Sequence, residues 1–447
     1  MFKHSLIALF GMGLVASAAF GQAVPCPGYN PAKNVNLACE LATATRTSNS
    51  AIGNNAAVGT AGNQLTTLSP TLATALTQLP VATAMSGTGL SFSRSLGMSV
   101  ATNDSLGSIL TQRGETIGRH NFYVSFTYQR FSFDAIDGVD LKNLQTVNEV
   151  DYTLGSSIAQ RTFSALDTRV DLRVDQFTGL ASFGLTNRLD LSVIVPYSKI
   201  TMAAGTANFV DVNAALSSGA ATTPTGYGVL YTSNAAGAAL RPSVQFPVSY
   251  PGSASGIGDV TANVKGTVYN GERTKIAIGG DVRFKTGDET NYLGTGAYGF
   301  KPYFVISHRG RKLTPHANFG YQWNGTSILA TDINGQHNLP SSFEYAGGLD
   351  LRAAKKLTIV GEFLGQAVLN APRVQLVSVG VPGSASGTLQ TVQPYTGTYA
   401  MDNAAVGFKA NPVGGLMITA SAMFKLDNAG LRANVVPLFG ISYRFMR

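Results

Sequence analysis

Two groups of residues in this 447-residue chain have types and spacings suited to chemistry. The first is a set of charged side chains at alternate positions within apolar segments. It comprises Arg173 and Asp175; Lys265; Asp281, Arg283 and Lys285; Glu344, Asp350 and Arg352; Glu362; and Lys409, Lys425 and Arg444. Mixed charge recurring with a period of two can line a water-filled path and tune what passes along it. The same pattern suits a brace, in which the charges pair with one another. The second group is Cys26 and Cys39, the only 2 cysteines. They lie close together near the start of the mature chain, and in an oxidising compartment they form a disulfide candidate.

Other chemistry is poorly served. His308 and His316 flank one turn but lack a third ligand, so no metal site is expected. A hydrolase site needs a Ser–His pair held by a third polar group. No G-x-S-x-G occurs, and GSASG at 252–256 and again at 383–387 reads as flexible loop. The run SGIGD (255–259) precedes a strand and not a helix, so it is not a phosphate loop. No cofactor and no catalytic residue is expected, and the chain reads as a non-enzyme.

The elements that position the charges follow from composition and pattern. Lys3, an apolar run from Leu6 to Phe20, and small residues at Gly21 and Ala23 form a secretory signal peptide over 1–23. No later apolar run reaches the roughly 18 residues of a membrane helix. Yet the chain is 44% hydrophobic and only 13% charged, whereas soluble domains carry about 25% charge. The net charge of +8 is scattered, so nucleic acid is not a partner. Residues 24–118 are rich in Thr, Ala and Asn. They hold a short helix around Thr71–Leu79 and weak strand character around Leu90–Val100. This segment reads as a plug, a periplasmic segment or a flexible one.

From residue 119 to 447 the pattern changes. Phe122, Val124, Phe126 and Tyr128 share one face of a strand, against Ser125, Thr127 and Gln129. Ile276, Ile278, Val282 and Phe284 oppose Lys275, Asp281, Arg283 and Lys285. Phe439, Ile441, Tyr443 and Phe445 oppose Ser442 and Arg444. The segments are about nine to fifteen residues long, enough to cross a bilayer when tilted. Short connections at 186–188, 270–273, 309–312, 353–356 and 411–414 alternate with long ones at 134–165, 200–255, 286–297, 325–340 and 370–398. The short hairpin at 427–430 is the one exception. This rhythm predicts an all-β, antiparallel transmembrane β-barrel of about 12 strands, within a range of about 10–14, with short turns and both barrel ends in the periplasm. Tyr197, Tyr269, Trp323 and Tyr443 are candidates for interfacial girdles.

The stretch from Ser255 to Gly325 resembles the bacterial outer-membrane barrels named for the meta-cleavage pathway of phenol degradation, relatives of the outer-membrane hydrophobic-compound transporters. The resemblance rests on Gly256, Gly258 and Asp259; on Thr286, Gly287 and Asp288; on Leu293 to Gly296; and on Asn318, Gly320, Tyr321, Asn324 and Gly325. Lys285 stands where that family often has proline. The resemblance implies passive passage of small, apolar or aromatic molecules through an outer-membrane channel or transporter in a Gram-negative-type bacterium. The alternative is a non-transport barrel serving as a structural or surface-loop scaffold. The expected partners are outer-membrane lipid, a small-molecule substrate and the outer-membrane assembly machinery.

Overall fold

The structure, a computed structural model, describes residues 105–153, 159–211, 246–332, 335–380 and 388–445, with 37, 71, 72, 74, 76, 90–93, 98–101, 231, 232, 241 and 242. The signal peptide, Cys26, Cys39 and the second GSASG run lie outside the described residues.

The expected barrel forms. Its strands are β1 (Phe122–Ile136), β2 (Ala159–Thr186), β3 (Leu189–Asp211), β4 (Thr261–Asn270), β5 (Thr274–Arg283), β6 (Gly299–His308), β7 (Leu313–Asn324), β8 (Ser342–Ala354), β9 (Leu357–Gly380), β10 (Thr388–Ala410), β11 (Leu416–Lys425) and β12 (Val435–Phe445). Each pairs antiparallel with its sequence neighbours, and β12 returns to β1, with Phe445 opposite Phe122 and Leu438 opposite Gln129. Closure is required because an unpaired sheet edge in hydrocarbon leaves backbone groups unbonded at several kcal/mol each.

The tight turns are built from their own residues. Arg188 N–H donates to Thr186 Oγ1, Gly271 N–H to the Thr274 carbonyl, and Gly310 N–H to the Leu313 carbonyl. Asn411 Nδ2 reaches the carbonyl of Gly414, whose φ of 52° is left-handed. On the membrane wall, burial alternates with the strand period. Phe126, Val193, Ile278, Phe304, Val406 and Ile441 face outward and are exposed, as lipid-facing residues must be. Tyr197, Tyr269, Trp323 and Tyr443 also face outward.

The outer connections are less loop-like than their sequences suggest. Leu144–Thr153 pairs with the upper part of β2, and Phe246–Ile257 pairs with the upper part of β3. The first GSASG run is therefore strand, with Ser253 opposite Thr201 and Gly256 opposite Ser198. Small polar residues on both faces hide the period of two where no lipid imposes it. The short last connection also has a reason. Leu431–Ala433 turns inward and pairs with the top of β1, and Asp137 N–H donates to the Gly430 carbonyl.

Candidate functional site

The lumen has two halves of opposite character. Near the end that carries the short turns, the periplasmic end in barrels of this class, Lys265, Asp350, Glu362, Lys409 and Arg444 point inward and are buried. They do not line open water. Residues 105–118 run across the inside of this end as a strap, and the wall charges bind its backbone.

Glu362 holds the centre of the strap. Its carboxylate accepts from the N–H groups of Ile109, Leu110 and Thr111 at 3.0, 3.0 and 2.9 Å, and from Thr111 Oγ1 at 2.6 Å. Lys409 donates to the Ser108 carbonyl, Lys265 to that of Arg113 at 3.3 Å, and Arg444 to that of Ile117 at 2.7 Å. Asp190 accepts from Ile117 N–H at 2.9 Å. Arg113 lies 3.3 Å from Glu115 and 3.7 Å from Asp350. Burial opposes ionisation of Glu115, but Arg113 and Lys275 outweigh it and hold the carboxyl down at about 2. The strap fits closely: a Cβ on Gly114 would stand 2.7 Å from the Lys275 carbonyl, and one on Gly184 1.9 Å from that of Gly118.

One arrangement here resembles a nucleophile–base–acid order. Thr111 Oγ1 lies 2.5 Å from His316 Nε2, and His316 Nδ1 lies 4.0 Å from Asp350. The hydroxyl already donates to Glu362, and all four side chains are buried where the strap meets the wall. The group therefore anchors the strap.

In the outer half the inward face is apolar. Phe131, Phe133, Leu172, Val174, Ile200 and Met202 are buried in one cluster. A loop covers them. Asp259 accepts from Gly287 N–H at 3.0 Å, and from Thr295 N–H and Oγ1 at 2.7 and 2.6 Å. Thr286 Oγ1 donates to the Gly258 carbonyl. The latch presses Tyr292 into the apolar cluster, where Leu329 joins it. Of the residues that carry the family resemblance, Asn318, Gly320 and Tyr321 lie on β7, while Asp259, Thr286, Gly287 and Leu293 to Gly296 build this roof. Asn324 extends it, accepting from Arg283 at 2.6 Å and donating to the Pro340 carbonyl at 2.7 Å.

Between strap and roof lies a cavity of about 350 Å³. Leu110, Thr111 and Gln112 form its floor, and Tyr292, Leu293 and Leu431 are in its roof. Phe131, Phe133, Val174 and Met423 make one wall apolar. The opposite wall carries Asp281, Arg283, Lys301 and Glu344. Lys301 bridges Asp281 and Glu344 at 3.3 and 3.0 Å, and Asn263 donates to Asp281 and to Tyr303 Oη. Lys301, Asp281 and Glu344 are therefore paired among themselves, and Arg283 is held by Asn324.

One ladder of the barrel wall is interrupted beside this cavity. The β6–β7 ladder pairs Phe300 with Trp323 and resumes with Tyr303 opposite Gly320, leaving Lys301 and Pro302 unpaired on the β7 side while both still pair with β5. Pro302 has no N–H to give. Tyr303, Phe319 and Gly320 border both the cavity and an apolar groove on the outer wall.

Most of the charged residues singled out in sequence are brought inward. Asp281, Arg283 and Glu344 border the cavity, while Lys265, Asp350, Glu362 and Arg444 hold the strap. Arg352 sits half-buried at the periplasmic end of β8. Three placements require correction. Arg173 and Asp175 are on the outer face of β2, where Tyr128 Oη donates to Asp175 at 2.6 Å and Arg130 pairs with it at 3.1 Å. Their apolar neighbours Leu172 and Val174 point inward, because beyond the bilayer only the lumen offers them a dry environment. Lys285 lies past the end of β5, exposed, with its Nζ 5.5 Å from the Tyr298 ring centre. Sequence reasoning missed the partners on the strap, Thr111, Arg113 and Glu115, although R-G-E at 113–115 is a charged pair in a polar, otherwise uncharged stretch.

Residues 186–381 match the model of a family described as putative MetA-pathway of phenol degradation. That span contains the whole Ser255–Gly325 stretch and bears out the resemblance. No curated protein matches the chain. Among solved structures, an outer membrane channel from Pseudomonas putida F1 is similar at 11% identity, over 74% of this chain and 97% of that one, with a TM-score of 0.39. The toluene transporter TbuX of Ralstonia pickettii is similar at 12% identity, over 74% and 90%, with a TM-score of 0.31. The P. putida toluene transporter TodX is similar at 10% identity, over 73% and 91%, with a TM-score of 0.31. The closed barrel, its lipid-facing wall and the family match put the chain in the outer membrane of a Gram-negative-type bacterium.

Proposed function

We propose that this barrel is a passive, non-enzymatic channel for small apolar or aromatic molecules. The observation that carries this reading is the cavity between strap and roof. Its size lies at the small end of the roughly 300–1,000 Å³ typical of ligand pockets. One wall is hydrocarbon, and the other is polar but already paired. An apolar molecule gains burial against the first without stripping partners from the second. The family description, which concerns phenol degradation, agrees with an aromatic cargo.

Two exits suit this cavity. The axial one requires the strap to move, and the lateral one uses the unpaired seam at Pro302. A sealed barrel acting as a scaffold for surface loops is the second reading, and the strap across the periplasmic half favours it.

Single-channel conductance in planar bilayers, on the full mature chain and on a chain lacking residues 24–118, separates the readings. A channel gated by the strap conducts little when intact and clearly when shortened. Uptake of a radiolabelled monoaromatic by cells expressing the intact chain then reports the cargo. Silence in both bilayer experiments, together with no uptake above that of barrel-free cells, would sink the channel and leave the scaffold.

A further inference from the structure

On the outer wall of β1–β3, exposed cations stand immediately beyond the last aromatic row. Tyr128, Phe177 and Tyr197 are cross-strand neighbours, all facing outward. One row further from the periplasm stand Arg130, Asp175 and Lys199, again side by side. Arg173 occupies the row above, opposite Ser132 and Thr201. Asp175 is engaged by Tyr128 and Arg130. Arg173 and Lys199 are exposed, and neither has an ion pair or hydrogen bond among the described residues. A matching pair on β8–β10, Tyr345 donating to Asp402 at 2.8 Å, has no exposed cation beside it among the described residues. Elsewhere on the outer rim Lys285 stands exposed over Tyr298, but singly. The positive band on β1–β3 groups three cations, and further out on the same face of β2 exposed Asp171 is followed by exposed Arg169.

Its height decides its partner. Below it, Val195, Phe177 and Tyr197 meet acyl chains, and tyrosines mark the boundary between hydrocarbon and headgroup. Cations one row higher stand at the level of the headgroups of the outer leaflet. Arginine forks and a lysine head are suited to the three acceptor oxygens of a phosphate. Basic clusters at such a boundary are held by anionic lipid.

The geometry points to a lipid-binding site: a phosphate-bearing lipid headgroup of the outer leaflet sits on Arg130, Arg173 and Lys199, with its acyl chains along Phe177 and Tyr197. This assignment is independent of what crosses the lumen.

The test uses the full mature chain in mild detergent, titrated with bisphosphorylated lipid A and followed by native mass spectrometry. The expected result is saturable binding of one lipid A per barrel. Lipid A stripped of its phosphates should bind more weakly. The combined change Arg130→Gln, Arg173→Gln and Lys199→Gln should weaken binding by roughly tenfold or more. Heat-modifiable gel mobility checks that the variant barrel is closed. If the triple variant does not close, Lys199→Gln and Arg173→Gln singly should each weaken binding severalfold. Equal binding by closed variants, or by phosphate-free lipid A, overturns the site. Displacement of lipid A by millimolar inorganic phosphate overturns the lipid assignment and leaves a free-phosphate site.

Discussion

The two halves of this lumen solve opposite problems with the same strands. The periplasmic half buries Lys265, Glu362, Lys409 and Arg444, and each charge bonds the backbone of an inserted strap. The outer half buries Phe131, Phe133, Leu172 and Val174 against a folded roof. The general rule of polar lumen and apolar wall describes only the first half. Along β1 the change occurs within a few residues: Ser125 and Gln129 point inward, then Phe131 and Phe133 do. The outward face changes with it, from Phe126 to Arg130. A membrane barrel thus keeps its apolar residues dry wherever dryness is found, in lipid at bilayer height and in the lumen above it.

The strongest blow to the charged half is Glu362→Ala. Three backbone N–H groups lose their acceptor, at about 1.5–3 kcal/mol for each bond to a charged group. Hydrogen exchange at residues 109–111 should rise steeply, and conductance should appear in the intact chain. Unchanged exchange would mean that the strap is held elsewhere.

Asp259→Ala attacks the other half, removing the acceptor for Gly287 and Thr295, with an expected loss of about 3 kcal/mol in the roof. Limited proteolysis should then cut within 286–297 while exchange in the strap stays slow. If the strap also loosens, the halves are one cooperative unit and the division between them fails.

A pair of changes on one strand sharpens the contrast. Phe133→Ala should cost about 3 kcal/mol by opening a void in the apolar cluster. Ser125→Ala, in the polar half, should cost about 1 kcal/mol, the net worth of one hydrogen bond. Thermal shift of the gel-mobility transition measures both, and similar shifts would contradict the sorting.

The smallest effect belongs to Arg173→Ala. Because this side chain faces outward, conductance should match the parent and stability should stay within about 0.5 kcal/mol of it. A clear change in ion selectivity would return Arg173 to the lumen.

Much of this was legible in the sequence. Strand positions and the alternating connection lengths stood out because lipid imposes a strict period of two on every spanning segment. Lys265, Asp350, Glu362 and Arg444 were readable as inward because each sits among residues that must face hydrocarbon. Arg173 and Asp175 were misread for the same reason: they follow the period, but at a height where lipid no longer sets its sense. The G-x-G-D segment marked a family, yet nothing in its spacing said that Asp259 would hold Thr295 from across a loop.

The sequence by itself determined an even-stranded outer-membrane barrel, since closure and alternation are local demands repeated strand by strand. Tertiary structure alone decided what fills it. Glu362 meets Leu110 across a sequence separation of 252 residues, and Asp137 meets Arg373 across 236. Such pairings depend on where a closed wall brings its inner faces together, and no local pattern records that. The same closure turned a row of alternate charges into an anchor for the strap and left a chamber with one apolar wall above it.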